Sequence, residues 1–250
     1  MSESEILTAF DAIACPICDG TEFEALFEKK GAPIVQCLLC RLMLMKPRSP
    51  FSADPSIATA DYSHGYLNKA DKKRARCRRW VHRVMRRFVP SGRWLDVGCS
   101  VGCVVAAAEE AGFEAFGIEP EAAAVDYSRM ALGLANLVCG TLDTQRYPAR
   151  YFDVISLYDV LPHVADLNST VAELARVLKP DGVIEIRTPD VGHWRISPTL
   201  DNWKEIKPSE HLVYFSAGTL QQLFARHRLR LRERRLMLKP TLDCIFVPAE

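Results

Sequence analysis

The sequence predicts an α/β chain: a doubly wound, mostly parallel sheet of seven strands with helices on both faces, preceded by a small cysteine-rich module. Three observations predict it. From Arg93 onward, short apolar runs alternate with alanine- and leucine-rich stretches of helical period. The first run ends in a glycine turn, "LDVGCSVG". Ahead of it, four cysteines fall into two C-x-x-C pairs, "CPIC" and "CLLC".

The bulk numbers agree. A chain of 250 residues, 48% of them hydrophobic, can bury one large domain and a small module. A formal net charge of +1 gives no bulk field for nucleic acid. No apolar run reaches the roughly 18–20 residues that span a bilayer. The start, "MSESEILTAF", lacks the basic flank and apolar centre of an export signal. Nine cysteines without such a signal argue against a disulfide framework and for a reducing cytoplasm, with metal binding or buried thiols.

The cysteine module is expected over residues 12–48. Cys15 and Cys18, then Cys37 and Cys40, are two knuckles 18 residues apart, the spacing of a structural zinc site. Four thiolates close a tetrahedron and leave no open position. The residues between read as two short strands about Lys30-Gly31. So small a segment needs the metal for folding energy. Cys77, Cys99, Cys103, Cys139 and Cys244 are scattered and read as small core residues or incidental thiols.

Residues 49–92 read as a linker followed by a basic helix. From Lys69 to Arg93 there are eleven basic residues and one acid, Asp71. Cys77, Trp80, Val81, Val84, Met85 and Phe88 recur at helical spacing, so one face docks and the other is positive. That positive face fits a solvated surface, an acidic or phosphate-bearing substrate, or nucleic acid. No RNA-binding aromatic motif accompanies it, which makes nucleic acid the weakest of the three.

Residues 93–250 carry the sheet. "RWLDV" is a strand ending in Asp96, and "CVVAAAEEAG" a helix closed by Gly112. "FEAFGIE" ends in Glu119, and Pro120 opens a helix through "PEAAAVDYSRMAL". "ANLVCGT" and "YFDVISLYDV" are strands three and four. "NSTVAELARVLKP" is a helix stopped by its proline, and "GVIEIRTP" is strand five. Ser216 caps a later helix, and strands near 229–238 and 241–247 finish the set. Ligands of such sheets bind beyond the carboxyl ends of the strands. That rule points to 96–102, Glu119, 141–143 and 158–163.

A dinucleotide turn wants glycine at 98, 100 and 103, whereas the chain has Gly98, Ser100 and Cys103. "LDVGCSVG" instead closely resembles the first motif of class I S-adenosylmethionine-dependent methyltransferases, which more often have glycine where Ser100 stands. The resemblance runs on through "GTLDTQRYPARYFDVISLYDVLPHVADLNSTVAELARVLKPDGVIEIRTPD" and "SEHLVYFSAGTLQQLF". The cysteine module resembles the zinc ribbon of a bacterial small-molecule subgroup of these enzymes. In all it covers about residues 14–235.

The resemblance implies a cofactor, S-adenosylmethionine, and a site for it. Gly98, Ser100 and Gly102 lie along its methionyl part, and Asp96 holds its amino group. Glu119 accepts the ribose hydroxyls. Leu142 offers an amide to adenine, with Asp143 beside it. Tyr158 and Asp159 line the methionyl pocket. Tyr62 and Tyr66 either fold over the cofactor or simply pack.

A base is needed only if the acceptor loses a proton. His211, preceded by Glu210, resembles the Glu-His pair of zinc-ribbon C-methyltransferases that act on deoxysugars, although those chains are longer. It is the favoured base, with Glu210 as its orienting partner. His163 is the second candidate, as base, substrate-positioning group or packing residue. Pro162 stands where many relatives have a glutamate, which leaves a poor site for a catalytic metal. Residues 190–208, with His193, Trp194, Arg195, Trp203, Lys204 and Lys207, read as an insertion over the site. The expectation is a cytoplasmic enzyme that methylates O, C or N of a small biosynthetic acceptor. An RNA or protein methyltransferase and an inactive binding domain are the alternatives.

Overall fold

The computed structural model describes residues 14–46, 70–196 and 200–249. Tyr62 and Tyr66 lie outside the described residues.

The main sheet has the order β10-β11-β8-β7-β4-β5-β6. Its strands are β4 (Arg93–Val97), β5 (Glu114–Glu119), β6 (Leu137–Cys139), β7 (Phe152–Tyr158), β8 (Leu178–Pro189), β10 (Leu229–Arg234) and β11 (Thr241–Pro248). The pairings among β4 to β8 are parallel, and β11 runs antiparallel to both β8 and β10. The seven predicted strands are all present. The chain reverses between β4, which pairs β5 and β7, so the strand ends open a crevice at the glycine turn.

The helices are α1 (Ala70–Arg87), α2 (Cys103–Glu110), α3 (Ala122–Leu132), α4 (Leu167–Val177) and α5 (Ala217–Ala225). Two apolar cores mark the two faces of the sheet. One gathers Val81 and Val84 of α1 with Val104, Val105 and Ala108 of α2 and Val125 of α3. The other gathers Val171 and Leu174 of α4 with Leu220 and Leu223 of α5, and it continues into Ile17, Val35 and Leu44 of the cysteine module.

Two helix boundaries differ from expectation. Helix α3 begins at Ala122 with Glu121 as cap, so Pro120 lies before the helix rather than at its first position. Helix α4 stops at Val177 and β8 starts at Leu178. Pro180 pushes the residue before it out of helical geometry, so the helix ends earlier than the proline itself. Lys179 then leaves the helix to meet Asp153 at 2.8 Å.

The cysteine module is a small antiparallel sheet of β1 (Phe23–Lys29), β2 (Ala32–Cys37) and β3 (Met43–Met45), as expected about the Lys30-Gly31 turn. Its fourth strand is β9 (Val213–Tyr214), supplied by the segment after β8. A two-residue strand pairing across about 170 positions leaves no local sequence signal. The module is further tied down by Asn168 Nδ2 donating to the Pro16 carbonyl at 2.7 Å and by the Arg226–Asp19 ion pair at 2.9 Å.

Candidate active site

The glycine turn is built for close approach. Gly98 and Gly102 both have φ of +69°. A Cβ on Gly98 would meet Val160 Cγ2 at 2.5 Å, and one on Gly102 would meet Leu134 Cδ1 at 2.5 Å. Side chains are excluded by space as well as by the left-handed backbone. Ser100 also has positive φ, +50°, and its Oγ is buried with no hydrogen-bond partner among the described residues. An orphaned hydroxyl at a turn of this kind fits a bound polar group.

Asp96 closes β4 and is buried. A relay fixes it: Trp94 Nε1–H donates to Ser156 Oγ at 2.9 Å, and Ser156 Oγ–H donates to Asp96 Oδ1 at 2.6 Å. Burial pushes its pKa up to about 7, against the lowering effect of the Ser156 bond. A buried carboxylate with a raised pKa suits a cationic guest. Glu119 closes β5, and its carboxylate accepts from the amides of Ser100 at 2.7 Å and Glu121 at 3.2 Å. Each oxygen keeps a lone pair for a ligand hydroxyl. Leu142 is buried in a single 3-10 turn after β6, with Asp143 exposed beside it. The predicted cofactor residues therefore lie at consecutive strand ends along one edge. The orphaned Ser100 hydroxyl and the glycine cradle fit S-adenosylmethionine.

At the end of β7, Tyr158 does not turn its hydroxyl to the cleft. It donates to Glu185 Oε2 at 2.6 Å, and its ring lies on Trp80 of α1 with centroids 4.8 Å apart. Asp159 has φ of +60° and is open to solvent, yet desolvation by surrounding protein raises its pKa, while Arg187, His163 and Arg76 pull it down. Its carboxylate thus lies among cations of β8, α1 and the turn after β7.

The two candidate bases meet. The rings of His163 and His211 are edge to face at 4.9 Å. His163 Nδ1 lies 2.7 Å from the Glu210 carbonyl, and His211 Nδ1 lies 2.9 Å from the Glu205 carbonyl. A carbonyl only accepts, so both Nδ1 atoms carry protons, and each neutral ring keeps a basic Nε2. His211 is buried, and burial lowers its pKa to about 4, with His163 and Lys207 adding to the fall. His163 is exposed.

Glu210 is not the partner expected of it. Its carboxylate reaches Lys207 at 3.1 Å, and only its backbone carbonyl serves the site, on His163. The reason is geometric: Glu210 is exposed, whereas the adjacent His211 points inward. Glu205, whose carbonyl fixes His211, carries no sequence signal, because any residue offers a carbonyl.

The 190–208 insertion also differs from a wall of aromatic side chains. Trp203 packs with Ile34 and Met43 of the small sheet, while Trp194 is exposed and stacks on His193. His193 spends both ring nitrogens on backbone, donating to Met237 and accepting from Arg195. It is a loop pin.

Helix α1 is less free a positive face than its sequence suggests. Arg83 pairs with Glu185 and, at 3.0 Å, with Asp243, both fully buried. Arg78 and Arg74 share Glu110, and Arg87 takes Glu233. These acids come from elements distant in sequence, so composition alone hid them.

The four module cysteines converge. Their sulfurs lie within 4.8 Å of one another, with Cys15–Cys40 at 3.4 Å and Cys18–Cys37 at 3.5 Å. None is in a disulfide. Zn–S bonds of about 2.3 Å in a tetrahedron put sulfurs roughly 3.8 Å apart, which these residues fit.

A family profile described as a methyltransferase domain matches residues 70–233, from the start of α1 to the end of β10. The chain belongs to the methyltransferase domain family. Its relatives include a ubiquinone biosynthesis O-methyltransferase of Rhodopseudomonas palustris strain TIE-1, 27% identical over 38% of this chain and 39% of that one. The enzyme of the same name from strain BisB18 is 26% identical over 46% of each chain. This methyltransferase thus spans less than half the length of the curated relatives it matches. Among solved structures, the TehB-like SAM-dependent methyltransferase of Corynebacterium glutamicum superposes with a TM-score of 0.58 at 18% identity, covering 78% of this chain and all of that one. The mitomycin 7-O-methyltransferase MmcR gives 0.53 at 19% identity, covering 64% and 50%. These likenesses show the class I methyltransferase fold.

Proposed function

We propose that this chain transfers a methyl group from S-adenosylmethionine to a hydroxyl of a small biosynthetic acceptor, with the His163–His211 pair as its proton-handling element. The observation that carries the reading is the pair itself: two imidazoles at the mouth of the sheet, each with Nδ1 tied to a carbonyl and Nε2 left basic. S-adenosylmethionine supplies an electrophilic methyl group on a sulfonium centre. The residues of the chain orient and desolvate. Gly98, Ser100 and Gly102 cradle the cofactor, Asp96 faces its amino group, and Glu119 receives the ribose, with Leu142 and Asp143 toward adenine. O-methylation, rather than C- or N-methylation, is the form that the relatives' names support.

His163 takes the acceptor's proton at Nε2. It is exposed, so an acceptor hydroxyl can reach its Nε2. His211 stays neutral and holds the ring of its neighbour. Glu210, which favours His211 in the sequence, turns its carboxylate to Lys207 instead. The cations around the end of β7 suit an acidic or phosphate-bearing acceptor. The engaged arginines of α1 weaken an RNA-docking reading. Cys15, Cys18, Cys37 and Cys40 hold a structural zinc that keeps the small sheet, and through β9 the His211 segment, in place.

The test is methyl transfer from labelled S-adenosylmethionine to a panel of pathway hydroxy-acids and phenols. Transfer lost in His163→Ala with cofactor binding kept supports the reading. Full transfer in His163→Ala and loss in His211→Ala reverses the two roles.

A further inference from the structure

Beyond the histidine pair, the cations around the ends of β7 and β8 form a cluster with a geometry of its own. Trp80 of α1 bears two guanidinium groups, Arg187 at 4.3 Å and Arg76 at 4.9 Å from the ring. Arg187 lies beside Tyr158 in register, and the Asp159 amide donates to its carbonyl at 2.8 Å, so the cluster borders the wall that holds Asp159 and His163.

The charges here do not balance. Asp243 serves three arginines, Arg83 at 3.0 Å, Arg187 at 3.1 Å and Arg235 at 3.2 Å. Glu185 is engaged by Arg83 and Tyr158. Arg76 is exposed and makes no ion pair with any described residue. Four guanidiniums thus face two buried carboxylates and the open Asp159. Stacking on an indole holds a guanidinium plane but leaves its N–H edge free. Arg187 already gives one N–H to Asp243, at 3.1 Å, and its remaining N–H groups, with those of Arg76 on the same ring, suit an oxyanion. A purely structural cation would not need a second one on the same ring.

We propose that Arg76 and Arg187, held on Trp80, form a binding subsite for an oxyanion of the acceptor, a carboxylate or a phosphate. The subsite rests on the reading of the cleft as a methyltransferase site. It sets substrate class, because a neutral acceptor leaves the excess positive charge of the cluster, Arg76 above all, unanswered.

Calorimetry on protein saturated with S-adenosylhomocysteine tests it, with benzoate, phenyl phosphate and neutral benzamide as probes. At least one oxyanion is expected to saturate where benzamide does not, and the stronger of the two tells carboxylate from phosphate. Arg76→Gln, at an exposed site, should weaken that binding roughly tenfold and leave S-adenosylhomocysteine affinity within about twofold. Arg187→Gln should act alike. Arg79→Gln, exposed on the same helix, should change nothing. Equal binding of benzamide, no oxyanion binding, or indifference to Arg76→Gln overturns the subsite. Loss of S-adenosylhomocysteine in step with the oxyanion in Arg76→Gln also overturns it, because the arginines then serve the cofactor carboxylate. Failure of S-adenosylhomocysteine itself to bind the wild type fells the methyltransferase reading instead.

Discussion

His163 and His211, 48 positions apart, meet edge to face at 4.9 Å, each with its Nδ1 on a backbone carbonyl, of Glu210 and of Glu205. The contact joins the turn after β7 to the segment that becomes β9. Leu212 strengthens the joint by donating to the Pro162 carbonyl at 2.7 Å. Two short segments thereby share one geometry, and the mouth of the sheet acquires a fixed pair of imidazoles.

The pair predicts unequal losses. His163→Ala should lower kcat by about 10²–10⁴, the usual worth of a general base. His211→Gln keeps a neutral polar side chain and should cost roughly tenfold. His211, at about 4, stays neutral between pH 6 and pH 8, so His211→Gln should leave the shape of the pH–rate profile there unchanged. A single-turnover pH profile of both variants checks this.

Asp96 predicts opposite effects on binding and stability. Its folded pKa, about 7, lies above the ordinary carboxylate value of 3.8. Such a group favours the folded state fully below 3.8 and loses that contribution as pH rises through 7. Asp96→Asn mimics the protonated form. Its Tm should match wild type near pH 4 and exceed it at pH 8, while cofactor binding weakens. Wild-type cofactor affinity should rise between pH 6 and pH 8, as ionised Asp96 becomes available to the cofactor ammonium.

Arg83 predicts a stability effect far from the cofactor. It is the cation closest to both Glu185 and Asp243, which are fully buried. Arg83→Met should destabilise by about 3–5 kcal/mol, because buried Glu185 loses its only ion-pair partner among the described residues and Asp243 loses one of three. Urea unfolding measures it, and a loss under about 1 kcal/mol would mean that Arg187 and Arg235 take over.

Zinc predicts a remote effect on the histidines. Met45 donates to the Leu212 carbonyl at 3.0 Å, and β3 pairs with β9 just after His211. Cys15→Ser or chelation should remove about one zinc per chain and speed hydrogen exchange across residues 211–215. S-adenosylmethionine affinity should stay within about twofold, since the glycine turn lies on another part of the sheet.

What the sequence carried and what it hid divide along locality. The strand alternation, the Gly98–Gly102 turn, the Ser216 cap and the C-x-x-C spacing are local patterns, and each element stands where expected. The strand-end carboxylates Asp96 and Glu119 followed from the same register. The partners of Arg83 lie 102 and 160 positions away and β9 pairs across about 170, while the Glu205 carbonyl, only 6 positions from His211, belongs to an irregular segment with no periodic signal. The Glu210 role failed for a related reason: adjacent residues in an irregular segment point opposite ways. Arg187, a lone cation at the end of an apolar strand, was visible in "EIRTP", and its place on Trp80 was not.

The most direct test is a calorimetric titration of S-adenosylmethionine into wild type and Glu119→Ala. One-to-one binding on a micromolar scale is expected, weakened by about a hundredfold when the ribose carboxylate is lost. An absence of binding to wild type, or the same affinity in both proteins, contradicts the account.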